Sequence, residues 1–170
     1  ALLQRLFSQQ IAYSQEKPLA GVAYLDNSGN YQDGGVVDVP QLDEVSLPFA
    51  YEPEEMAEIQ ERILYYETSR GCPFRCAYCL SCATAGVRYR SWQLVRQELQ
   101  FFVNHNVRQV KFVDRTFNAK KQHFMPILQF IQALPASCRT NFHFEVAVDY
   151  LDDEVITLLQ SLPKHRVQLE

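Results

Sequence analysis

The sequence has no uninterrupted apolar run approaching the roughly 18 residues that cross a bilayer. Its first ten residues, ALLQRLFSQQ, carry neither the long apolar core nor the cleavage site of a secretory signal. A cytoplasmic protein without membrane contact is expected. Positive charge is not in excess either: 16 Lys and Arg stand against 20 Asp and Glu, for a net charge of −4. That balance argues against nucleic acid or an anionic membrane as partner, because such partners select a basic face. A local basic patch around Arg115, Lys120 and Lys121 remains open. A secreted disulfide framework is excluded as well, since the five cysteines are odd in number and four of them crowd between positions 72 and 82. The four histidines show no paired ligand spacing and read as structural. What is present is 170 residues, 47% hydrophobic and 21% charged, enough for one ordinary core.

Residues 20–36 (AGVAYLDNSGNYQDGG and its flank) read as a hairpin turning at Asp26-Asn27-Ser28-Gly29. VVDVPQLDEVSLPFAYEPEE, rich in Pro and acids, reads as a surface linker, so residues 1–50 form an appendage and 51–170 a core. EEMAEIQER suggests a helical turn or two, and ILYYET a buried strand. Beyond the cysteines the pattern is regular. Ser91 can cap a helix running to about Asn104, and VRQVKFVD is a strand. The next helix ends near Leu134, with Pro126 forcing a late start or a kink. FHFEVAVDY (142–150) alternates as a strand, Asp152 caps the helix DDEVITLLQSL, and HRVQLE opens a last strand. This rhythm is that of parallel α/β units, which could form part of a barrel or an open doubly wound sheet. In both, reactive groups belong at the strand C-termini, where the cysteine loop sits.

That loop is SRGCPFRCAYCLSC, residues 69–82. Cys72, Cys76 and Cys79 make C-x3-C-x2-C, a spacing with which three thiolates can hold three corners of a [4Fe–4S] cluster and leave one iron open. Gly71 permits a sharp backbone turn into the loop and Pro73 stiffens it. Two other arrangements compete. Cys76, Cys79 and Cys82 also match a ferredoxin-type run, which would make the protein an electron carrier, and a structural zinc site is the third reading.

CPFRCAYC resembles the radical S-adenosylmethionine enzymes. The resemblance implies that S-adenosylmethionine chelates the open iron and is cleaved to a 5′-deoxyadenosyl radical acting on an unknown substrate. It also implies an electron donor such as flavodoxin or ferredoxin, and a place for Tyr78 near the adenine. YYETSRGCPFRCAYCLSC, VKFVDRTFN, a strand bearing Glu145, and VQLE together resemble the subgroup with a cobalamin-binding domain upstream. The ligating pattern D-x-H-x-x-G is absent, so cobalamin is expected only in a longer protein. The family's barrels have more parallel strands than the four patterns seen here, so the expected fold is α/β, a truncated parallel (β/α) barrel whose exposed edge invites self-association. By the same likeness Asp114 and Thr116 would hydrogen-bond the cofactor's ammonium or ribose. As residues alone they equally suit helix caps, with Asn118 orienting the loop. Glu145 is either a buried carboxylate facing a barrel interior or an ordinary polar-face residue. Cys138 reads as a small core residue.

Overall fold

The computed structural model describes residues 18, 20–26, 28–37, 41–45, 60–83 and 86–170, with side chains given for all of these except residues 82 and 83. The chain divides into two compact units, Ala1–Pro40 and Gln41–Glu170. Within the first, β1 (Ala23–Leu25) and β2 (Tyr31–Asp33) pair antiparallel, as the turn residues predict. Asp26 closes that turn by accepting from the amides of Ser28 and Asn30, each at 2.9 Å.

In the second unit, β3 (Ile63–Tyr66), β6 (Gln109–Phe112), β7 (Asn141–Phe144) and β8 (Val167–Leu169) form one parallel sheet in that order. The connections run through α1 (Trp92–Asn104), α2 (Lys121–Gln132) and α3 (Asp153–Ser161). Sequential neighbours joined by right-handed crossovers place every connecting helix on the same face. The packing agrees: Leu64, Tyr66, Val110, Phe112, Phe142 and Phe144 of the strands meet Val95 and Leu99 of α1, Phe124 and Ile127 of α2, and Val155 of α3 in one core. Among the described residues the sheet is open, with β3 and β8 as its edges, so closure into a barrel is not seen.

Most helix limits follow local signals. Ser91 Oγ accepts from Leu94 N at the start of α1, and Asp152 Oδ1 accepts from Val155 N at the start of α3. Pro126 lies inside α2, five residues past its start; the amide bond it cannot make falls on Gln122 in the first turn. Three expectations need correction. Strand β3 is not buried throughout: Leu64 and Tyr66 face the core while Ile63 and Tyr65 are exposed, because helices cover one side of the sheet only. β7 stops at Phe144 rather than reaching Tyr150. Beyond it the β8 side keeps one more pair of bonds, Glu170 N to Phe144 O and Val146 N to Glu170 O, while the β6 side turns to loop groups, Glu145 O accepting from Phe117 N and Ala147 N donating to the Asn118 side chain. The acidic linker does more than cover a surface. Leu42 is 3% exposed, Asp43 Oδ1 accepts from Ser91 N, and Val45 O accepts from Arg90 Nη2. Residues 46–59, and with them most of the predicted helical turn at EEMAEIQER, lie outside the described residues. No helix among those described is long and apolar enough to cross a membrane.

Between β3 and α1 the chain inserts a small antiparallel pair, β4 (Ser69–Arg70) with β5 (Arg88–Tyr89), and the cysteine loop hangs from it. Gly71 at its base has φ +109, and a Cβ there would press into the carbonyl of Gly86. Only glycine fits both the conformation and the close approach.

Candidate functional site

The C-terminal ends of the parallel strands converge on a cleft of about 520 Å³. The cysteine loop contributes Cys72, Phe74, Cys76, Tyr78, Cys79 and Ser81; the ends of β6, β7 and β8 contribute Arg115, Thr116, Glu145 and Glu170. The topology dictates this meeting, since every strand of a parallel sheet releases its chain at the same edge.

Of the residues singled out in the sequence, all three cysteines, Tyr78, Thr116 and Glu145 reach the cleft. Their settings differ. Cys72 Sγ lies 3.5 Å from Thr116 Oγ1, and the Thr116 hydroxyl donates to Arg115 O at 2.8 Å. Ser81, through its side chain and its amide, holds the Cys79 thiol below its ordinary range, and Arg115 adds to the effect. Cys76 is exposed, and Tyr78 is 93% exposed at the rim. Phe74 stacks on Tyr150 with centroids 5.6 Å apart. Glu145 is half-buried rather than enclosed.

Asp114 does not reach the cleft. It is fully buried and turned toward the base of the cysteine loop, where it accepts from Thr68 N at 3.2 Å, from Thr68 Oγ1 at 2.9 Å, and from the Ser69 hydroxyl. Burial pushes its carboxyl up to about 6, against the lowering effect of those neutral donors. The helix-cap alternative is not what the structure uses for its neighbours: Thr116 makes no cap bond. Asn118 clasps the loop after β7, donating to Ala147 O at 2.8 Å and accepting from Ala147 N at 2.9 Å.

Two residues at the base of the site, Thr68 and Ser69, escaped sequence reasoning, whereas Glu170 entered it through the likeness of VQLE. Thr68 and Ser69 were visible as a Thr-Ser pair between a strand pattern and the cysteines, a place where hydroxyls serve turns, but nothing local shows which carboxylate they meet. Glu170 accepts from Lys111 Nζ at 3.0 Å, with His143 Nε2 at 3.1 Å. Lys111, and to a lesser degree His143, keep its carboxyl below the usual carboxylate range. Neighbouring strands supply that cluster, and the register that builds it is a property of the sheet.

No family model matches the chain. Over 117 residues, 65% of its length, it is 26% identical to an uncharacterized methyltransferase of Pyrococcus horikoshii, and the match covers 25% of that protein. The chain thus spans about a quarter of the curated relative it matches.

These findings correct the reading drawn from CPFRCAYC. The three cysteine sulfurs share a cleft but have separate engagements, Cys72 beside Thr116 and Cys79 with Ser81. Among the described residues no group of three or more His, Cys, Asp or Glu side chains could hold a metal ion. The residues as arranged do not fit a [4Fe–4S] cluster, and the detected likeness is to a protein named as a methyltransferase. The assignment to radical S-adenosylmethionine enzymes falls, and with it the cobalamin association. The zinc-module reading finds no group of three ligands among the described residues either, and the iron–sulfur carrier reading runs through Cys82, whose side chain lies outside them.

Proposed function

We propose that this chain is the donor-binding part of a methyltransferase and takes S-adenosylmethionine in the cleft at the strand C-termini. The observation that carries the reading is the cleft itself: aromatic, cationic and carboxylate side chains brought together at the edge of a parallel α/β sheet, in a chain similar to a methyltransferase. Its volume of about 520 Å³ lies in the range of small-molecule sites. When bound, S-adenosylmethionine supplies an electrophilic methyl: an acceptor's electron pair forms the new bond, the S–CH3 bond breaks to leave a thioether, and the acceptor releases its proton.

The chain's part is to bind and orient. Arg115 offers a planar fork of donors for a carboxylate. Glu145 and Glu170 offer negative charge to an ammonium or sulfonium group, and Glu170 is held ionised by Lys111. Phe74 and Tyr78 provide aromatic faces for a purine, and Thr116 a hydroxyl for ribose.

Equilibrium dialysis with labelled S-adenosylmethionine tests this reading. Saturable binding is expected, weakened about tenfold by Glu145→Gln and by Arg115→Ala, the usual consequence of losing a charged hydrogen bond. Absence of saturable binding up to millimolar donor would overturn it.

A further inference from the structure

Asp114 is the most deeply buried acid in the cleft's surroundings, yet it faces no cation. Each of its named partners is neutral and belongs to the two residues that lead into the cysteine loop, Thr68 and Ser69. Desolvating a carboxylate in this way is costly unless its donors are fixed. Here they are fixed from several sides. Thr68 O accepts from Arg90 N at 2.9 Å, and Ser69 is paired with Tyr89 across β4 and β5. Thr68 Oγ1 also lies 3.0 Å from His123 Nε2 of α2. With its single proton given to Asp114, the Thr68 hydroxyl can only accept from the imidazole, so His123 carries its proton on Nε2. The His123 ring packs against that of Tyr89 with centroids 4.7 Å apart, and burial holds it neutral down to about pH 4.

Cys72 lies three positions after Ser69, and Thr116 two positions after Asp114. One turn of chain after β6 therefore touches the cysteine loop twice, through Asp114 at Ser69 and through Thr116 at Cys72. Between those two points lies Gly71, packed against Gly86 without room for a methyl group. At about 3.3–3.6 Å of chain per residue, little slack remains to Cys72 once both points are held.

We propose that Asp114 is the positioning residue of the cysteine loop. It ties the end of β6 to the loop's base and thereby sets where the Cys72 side of the cleft wall stands relative to Arg115 and Thr116. It does so from behind the wall, without touching a ligand. The geometric part stands on its own. Its consequence for donor affinity rests on the function proposed above.

Alkylation by N-ethylmaleimide, followed site by site by peptide mass spectrometry, separates positioning from general stability. Cys138 is half-buried in the chain before β7 rather than in the core, at the opposite edge of the sheet from the cleft, and serves as the internal reference for changes not confined to the cysteine loop. Asp114→Asn and Ser69→Ala are each expected to raise the Cys72 rate by about tenfold while Cys138 stays within about twofold. The double variant should add little to either single change, because both remove one contact. Unchanged Cys72 rates, or equal acceleration at Cys72 and Cys138 in both single variants, would overturn the proposal. In parallel dialysis the Asp114→Asn chain should lose S-adenosylmethionine affinity by a similar factor; a Cys72 response with unaltered affinity would overturn the link to binding. A wild-type chain that binds no donor would sink the functional reading alone, leaving the alkylation rates to judge the positioning role.

Discussion

Among the described residues two acids are buried, one beneath the sheet's helical cover and one beneath the cysteine loop, and they are stabilised in opposite ways. Glu98 on α1 has a cation: Arg90 Nη2 lies 2.8 Å from its carboxylate, and the Tyr66 hydroxyl donates to the other oxygen. Asp114 has hydroxyls and an amide. Burial raises both carboxyls, and at Asp114 to about 6. The difference teaches what each is built to do. The Glu98–Arg90 pair joins α1 to the residue that follows β5 and, through Arg90 and Val45, to the docked segment around Leu42, so it is a framework staple. Asp114 sits where neutral partners hold geometry but leave the acid electrostatically uncompensated, next to the only strand-end loop that carries thiols among the described residues.

The contrast can be broken most forcefully at Arg90. Arg90→Ala leaves Glu98 buried without its cation, and thermal or urea unfolding should show a loss of about 3–5 kcal/mol. Asp114 should respond to pH instead. Its folded value of about 6 lies above the ordinary carboxylate value of 3.8, so the stability tied to its protonated form is complete below about pH 4 and is lost as pH rises through about 6. The difference corresponds to about 3 kcal/mol. Unfolding free energies measured across that window should carry this falling component in the wild type and lack it in Asp114→Asn; parallel curves would deny the burial its effect. Tyr66→Phe removes one neutral donor from Glu98, and denaturant midpoints should reveal a cost of about 1–2 kcal/mol. The exposed pair of Arg108 and Glu61, 3.3 Å apart, is the control: Glu61→Ala should change stability by less than about 0.5 kcal/mol.

The sequence showed one of these acids in the right place and for a different reason. Asp114 stood out because VDRTFN ends a strand, and strand ends carry polar groups, yet position along a strand says nothing about direction of the side chain. Whether it entered the cleft or turned to Thr68 depended on how β4 and β5 close beneath the loop, a pairing of only two residues on each side. Glu98 had no signal beyond being a helix residue, because its cation comes from a different element. The helices were legible through Ser91 and Asp152, whose caps are local hydrogen bonds. β7 was over-extended because FHFEVAVDY alternates regularly, while Asn118, 29 positions away from Ala147, takes the backbone group that a longer strand would have given its neighbour. The cysteine spacing misled in a comparable way. Three thiols on one short loop can converge, but Ser81 and Thr116 give two of them other partners.

By itself the sequence determined the order of strands and helices, the helix starts, the β1–β2 turn and the edge of the sheet at which chemistry would gather. Each of these rests on interactions between residues close in the chain, or on the single handedness that crossovers allow. The tertiary structure alone decided which carboxylate met a cation, which way Asp114 pointed, and which hydroxyl engaged the Cys72 thiol. Those outcomes depend on pairings across tens of residues, where several partners of equal chemistry compete and only packing in three dimensions selects among them.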